Sequence, residues 1–267
     1  MSDSPRRLFW KTAAVLWGAS VVGVVLVLPY ATSLQQDKLA LAAEKSHLPV
    51  PALLAISVLQ TSIYVAVLVS GGLWAASKLE LRTPLITAWL TRAPSPPKGT
   101  LAIAAGVGLV SGLALVAADH FVFAPLPAVQ ALMHAADAPG TKPGRLLGLM
   151  ASFYGAIDEE VMLRLGLLSL LALGVRALGR LAGAGREVAL PSAAFWLANV
   201  LSALLFGIGH LPATAALVPL STAVVIRAIV LNGSCGIVFG ALFRRYGLEW
   251  AMVAHFCVDL VLHVAAG

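Results

Sequence analysis

The chain has 267 residues, of which 60% are hydrophobic and only 11% charged, and its mean hydropathy is +0.92. Soluble globular domains carry about 25% charged residues, so this composition excludes a soluble fold and points to an all-α, polytopic transmembrane helical bundle. The formal net charge of +6 comes from Lys and Arg clustered between apolar runs, with no basic–aromatic stripe, zinc-knuckle spacing or Walker loop, which argues against nucleic acid as a partner.

A helix needs about 20 apolar residues to cross the hydrocarbon core. In chain order, seven runs qualify: roughly 12–32, 50–77, 100–123, 146–175, 192–211, 216–242 and 249–266. They are continuous rather than alternating, which a transmembrane β-barrel would not be. The first run follows Arg6, Arg7 and Lys11. It is longer than the ~7–15 apolar residues of a signal-peptide core, so it is expected to be a retained span. Pro- and Gly-rich stretches mark loops at Arg92–Lys98, Asp137–Arg145 and Gly183–Glu187. An eighth helix would have to come from 124–145 or 176–191, giving seven to eight spans in all.

Charge sets the expected orientation. Lys78, Arg82, Arg92 and Lys98 follow the second run, Arg176, Arg180 and Arg186 the fourth, and Arg244 and Arg245 the sixth. With the basic N-terminus, these loops all fall on one side, which is expected to be cytoplasmic. The other loops are near neutral. Cys235 and Cys257 sit in apolar runs, form no CxxC pair and read as small buried hydrophobes. Gly108–xxx–Gly112 and Gly236–xxx–Gly240 are expected to serve close packing between helices of the same chain. Internal repeats of the kind many transporters carry are not apparent.

Three strings place ionisable groups inside these oily runs: Glu159-Glu160-Val-Met-Leu-Arg164, Phe206-Gly-Ile-Gly-His210 and His255-Phe-Cys-Val-Asp259. Charge at membrane depth is costly, so such residues are functional candidates. On an α-helix, Glu160 and Arg164 are four apart and can pair, while Glu159 points about 100° away from Glu160. One acid could then be held by the arginine while the other faces a cavity. Phe206 and His210 share a helical face, and Pro212 should break the helix just beyond them. His255 and Asp259 are also four apart, so they either hydrogen-bond to each other or point at one site. Convergence of all three strings on one interior site is the economical reading. Straight spans would separate His210 from His255 by more than about 10 Å along the membrane normal at ~1.5 Å per residue. A shared site therefore requires tilt, a break near Pro212 or shifted boundaries. Arg227 is expected to pair with an acid such as Asp158 or to snorkel, and Asp119, His120 and His263 are expected at the interface.

The ordered set EExxxR, FxxxH and HxxxD resembles the CPBP family, the CAAX-type glutamic intramembrane proteases, over about residues 146–266. The run from Gly236 to His255 is similar to that family's last core segment. The resemblance implies N-terminal helices over 1–145 and a catalytic core over 146–267. It also implies that Glu159 and His210 activate a water, that Glu160, Arg164 and Phe206 support the site, and that His255 and position 259 stabilise the oxyanion. No cofactor is implied. The implied partners are a membrane-anchored protein or peptide substrate and the lipid bilayer. Position 259 is Asp, where prenyl-protein-processing members carry Asn. Asn can donate a hydrogen bond and an ionised Asp cannot, so Asp259 is either protonated or orients His255. The Ala-, Leu- and Gly-rich composition suggests a bacterial member in the inner membrane, with its N-terminus cytoplasmic. Competing readings are a zinc protease with Glu159, His210, His255 and Asp259 as ligands, a non-catalytic scaffold, and a proton-coupled transporter.

Overall fold

The computed structural model describes residues 4–136, 143–181, 183 and 190–266. Among these residues every regular element is helical. Seven helices are long and apolar enough to cross a membrane: α1 (Pro5–Leu34), α2 (Val50–Ser77), α3 (Lys98–Phe123), α4 (Arg145–Leu181), α5 (Ser192–Thr214), α6 (Thr222–Arg245) and α7 (Leu248–Ala265). The chain is thus an integral membrane protein of polytopic helical design.

The spans read from sequence differ from these mainly at three ends: α1 begins at Pro5 rather than 12, α4 runs on to Leu181 rather than 175, and α6 begins later than expected. That helix starts at Thr222 rather than 216, because Ser221 caps it by accepting from the Val224 N–H at 3.4 Å. Three short helices lie in segments expected as connections: Gln36–Ser46, Pro84–Thr91 and Pro127–Ala136. The last occupies one place considered for an eighth span, but its ten residues are too few to cross. In the other place, residues 176–181 continue α4, while residue 182 and residues 184–189 lie outside the described residues, as do most of the Asp137–Arg145 and Gly183–Glu187 loops.

α4 is central, with α1, α2, α5 and α7 packed around it. α7 lies along α3, and α5 lies along α6. The core between them is built from Leu165, Leu168, Phe195, Phe239, Phe243 and Trp250. Residues on the far faces, such as Val67, Val110 and Phe121, are exposed to the surroundings, as lipid-facing side chains should be. The small-residue pairs serve contacts within the chain. A Cβ on Gly108 would strike the Ala254 carbonyl of α7, and one on Gly240 would strike the Asn199 side chain of α5. A tight turn joins α6 to α7 at Gly247, whose φ of +123° suits glycine alone. The next amide, Leu248 N–H, donates to Arg82 O at 3.0 Å and fixes where α7 begins.

Candidate active site

The EExxxR string lies on a widened stretch of α4. Residues Gly155–Leu168 are π-helical rather than the α-helix expected from spacing. Such widenings are rare and recur at functional sites. Hydroxyl groups flank the stretch: Ser202 Oγ of α5 donates to Leu163 O at 3.0 Å, and Ser169 Oγ donates to Arg164 O at 3.2 Å. Both give carbonyls of the widened segment a partner where lipid could not.

Widening changes where the acids point. Glu159 and Glu160 also both reach one imidazole, from its two sides. Glu160 Oε1 lies 2.7 Å from His255 Nδ1, and Glu159 Oε2 lies 3.6 Å from His255 Nε2. Arg164 holds Glu160 as its spacing suggested, with Nη1 at 3.3 Å from Oε1. Glu160 and Arg164 are fully buried, whereas the Glu159 side chain keeps 21% exposure and lines a cavity. Asp158, the third consecutive acid, faces the other way and lies against Gly23 of α1.

The Arg164 guanidinium sits between two rings, 4.7 Å from the Phe206 centroid and 5.2 Å from that of Phe239. Cation–π attraction is strongest where water is excluded, so both rings help to retain this buried charge. Phe239 also stacks on His255 at 4.6 Å with planes 20° apart. Glu160 and Phe239 therefore fix the imidazole's position and tilt. Asp259 Oδ1 is 3.7 Å from His255 Nε2 and 3.9 Å from His263 Nε2, both beyond hydrogen-bond reach.

The sequence left a depth problem between His210 and His255. The Phe206 ring resolves it by touching both: its centroid is 4.8 Å from the His210 ring and 6.0 Å from the His255 ring, each edge-on. His210 ends the long helical part of α5, and its Nδ1 lies 2.9 Å from Phe206 O. A carbonyl only accepts, so Nδ1 carries the proton and a neutral His210 keeps its Nε2 lone pair free. Glu159 and His210 line the same cavity of about 460 Å³, whose other walls are mainly apolar: Tyr64, Leu68, Leu163 and Leu205 among them.

All seven singled-out residues therefore lie in one connected cluster. Two neighbours escaped sequence reasoning. Phe239 reads as an ordinary core aromatic, and its only signal is the pair of glycines, Gly236 and Gly240, that bracket it. Gly155 stands where a Cβ would strike Asp259 Oδ2 and crowd His255 Nε2. Its only signal is a small residue four before Glu159. Arg227 pairs not with Asp158 but with Asp119, whose two oxygens accept from Nε and Nη2 at 2.6 Å each. Asp158 is turned toward α1, and Asp119 is the acid that the end of α3 brings to α6. Among the described residues, no group of three or more His, Cys, Asp or Glu side chains is arranged to hold a metal ion.

Residues 142–261 match the family model described as type II CAAX prenyl endopeptidase Rce1-like. No curated protein matches the chain, and no solved structure does. The matched segment spans α4 to α7 and contains every residue of the cluster. The family is one of membrane proteases acting on membrane-associated substrates. Over residues 142–261 the chain is therefore similar to the Rce1-like CAAX endopeptidases of the CPBP family.

Proposed function

We propose that this protein is a glutamic-type intramembrane endopeptidase that hydrolyses a peptide bond of a membrane-anchored protein or peptide. The observation that carries the reading is the shared cavity: a partly exposed carboxylate, Glu159, and the free Nε2 of His210 line one space beside a clamped imidazole, His255. Glu159 takes a proton from a water in that cavity, with His210 Nε2 as a second acceptor that orients it. The water oxygen attacks the carbonyl carbon, and the negative charge develops on the carbonyl oxygen. His255 meets that charge. Its Nδ1–H is committed to Glu160, so donation from Nε2 requires the imidazolium with both ring protons in place. Asp259 and Glu159 flank Nε2 at 3.7 and 3.6 Å, beyond hydrogen-bond reach, which leaves that proton for the oxyanion. Collapse of the intermediate returns the proton from Glu159 to the leaving amine. Glu160, Arg164 and Phe206 support the site without touching the substrate.

Residues 1–145 would form an N-terminal helical unit, and 146–267 the catalytic core. The basic loops support a cytoplasmic N-terminus, and the composition supports placement in a bacterial inner membrane. Membrane anchors, peptide leaders and C-terminal sorting tails are the substrate chemistries that fit.

The test compares protein termini by mass spectrometry in cells carrying the wild type or Glu159→Gln at matched abundance. Termini present only with the wild type are expected, and they should persist after a strong chelator is applied to reconstituted protein. Identical termini in both strains would overturn the reading, and chelator-sensitive cleavage would replace it with metal-dependent hydrolysis.

A further inference from the structure

A second cavity, of about 550 Å³, lies where α3 and α7 finish and α6 begins. Its polar wall is Asp119, His120, His210, Arg227, Asn232 and His263. That is a different lining from the largely apolar cavity beside Glu159. Two features tie it to the candidate site. His210 lines both cavities. His263 lines the second cavity and brings Nε2 to 3.9 Å from Asp259 Oδ1. The two-pronged Asp119–Arg227 ion pair spans α3 and α6 and braces the wall.

Hydrolysis consumes one water per bond cleaved, and the hydrocarbon core supplies none. A cavity holds water when it is roomy and offers each molecule two to four polar partners, at about 30 Å³ per water. The second cavity is roomy and presents polar side chains from four helices, and a charged pair at membrane depth is itself tolerated where water or a partner reaches it. The position of its mouth is fixed by the helix ends around it. Asp119, His120, His210 and His263 lie at the ends of α3, α5 and α7, and Arg227 near the start of α6. Lys78, Lys98, Arg244 and Arg245 lie at the opposite ends of their spans.

We propose that the second cavity is a water-filled vestibule, open on the membrane face opposite the basic loops, which delivers the hydrolytic water to Glu159 and His210. The apolar cavity, bordered by the exposed Tyr64, Leu170 and Leu205, is left for the substrate chain. The proposal rests on the protease reading above. It places the cleaved bond in the leaflet away from the cytoplasm, so the substrates are segments already inserted or translocated.

The test uses the full chain with Cys235 and Cys257 replaced by Ala, and single His120→Cys, Asn232→Cys or Ser95→Cys variants. Ser95 lies exposed in the basic loop and marks the opposite face. A charged, membrane-impermeant thiol reagent is added to intact cells and, separately, to permeabilised ones. His120→Cys and Asn232→Cys should label in intact cells, and Ser95→Cys only after permeabilisation. Labelling Asn232→Cys should lower cleavage at least tenfold relative to the same variant mock-treated. Labelling of the vestibule positions only after permeabilisation overturns the sidedness. Failure to label while Ser95→Cys labels shows a closed, dry cavity, and full labelling without loss of cleavage shows that water takes another path. Absence of cleavage by the untreated wild type sinks the protease reading and water delivery together, whereas the labelling pattern still decides which face the cavity opens on.

Discussion

At the scale of single residues, the cluster turns on a buried charge whose one ionic partner among the described residues is Glu160. Arg164 sits 1% exposed beside Glu160, which is fully buried and also meets His255. Removing one partner of such a pair leaves the other uncompensated, which costs about 3–5 kcal/mol, while replacing both with apolar groups of similar volume is far milder. Arg164→Met is therefore expected to lower the thermal unfolding temperature in detergent. The Glu160→Leu/Arg164→Met double variant should regain most of that loss and still cleave nothing, because His255 has lost its Nδ1 acceptor. A double variant less stable than Arg164→Met would contradict the pairing. Gly155 gives a sharper case. Alanine is a better helix former than glycine, so propensity alone would make Gly155→Ala slightly stabilising. The added methyl would nevertheless land on Asp259 and His255. A displacement of about 1 Å among reacting groups costs about a hundredfold in rate. Gly155→Ala should thus lose about two orders of magnitude in kcat with unfolding unchanged or raised. Gly106→Ala, whose Cβ meets nothing, should change neither.

At the scale of elements, the widened stretch of α4 decides the site. Spacing alone assigned Glu160 to Arg164 and turned Glu159 away. In the wider helix Glu160 keeps Arg164, and both acids also address His255, one at each ring nitrogen. The widening is not written in the hydrophobic pattern, since Gly155–Leu168 reads as one more apolar helical run with polar inserts. Its supports come from elsewhere: Ser202 on α5 and Ser169 at the next turn of α4. A net hydrogen bond contributes about 1 kcal/mol, so Ser169→Ala/Ser202→Ala should destabilise the protein by about 1–3 kcal/mol. Activity should fall further than that loss explains, as a relaxed α-helix would swing Glu159 away from His255. Hydrogen exchange across 155–168 measures the change, and unaltered exchange with full activity would show that the serines do not support the segment.

At the scale of the whole molecule, contacts between distant spans complete what individual motifs only suggest. Asp119 and Arg227 join α3 to α6 while both remain about one-fifth exposed. Partial exposure weakens each charge through solvent, so the pair is worth less than the Glu160–Arg164 cluster. The two residues are in contact, so their effects should not add. A double-mutant cycle with Asp119→Asn and Arg227→Met is expected to show a coupling of about 0.5–3 kcal/mol. A coupling near zero would mean that the ion pair does not brace the α3–α6 wall. Neither sequence neighbourhood pointed to the other: Arg227 had a nearer-seeming candidate in Asp158, which the fold turns toward α1.

Much of this protein was legible in one dimension because lipid is a strict solvent. Long apolar runs must become helices there, and their ends are marked by charge, Pro and Gly, so seven spans follow from composition. Ionisable groups inside such runs are costly enough to stand out, which is why Glu159, Glu160, Arg164, His210, His255 and Asp259 could all be named before any fold was known. Direction and partnership could not be read that way. Which imidazole nitrogen each glutamate meets, Phe239 as the plate behind His255, Gly155 as the gap in front of it and Asp119 as the partner of Arg227 all depend on helices brought together from far apart in the chain. Solvent selects residues one at a time, whereas a site is a set of distances, and only tertiary packing sets those.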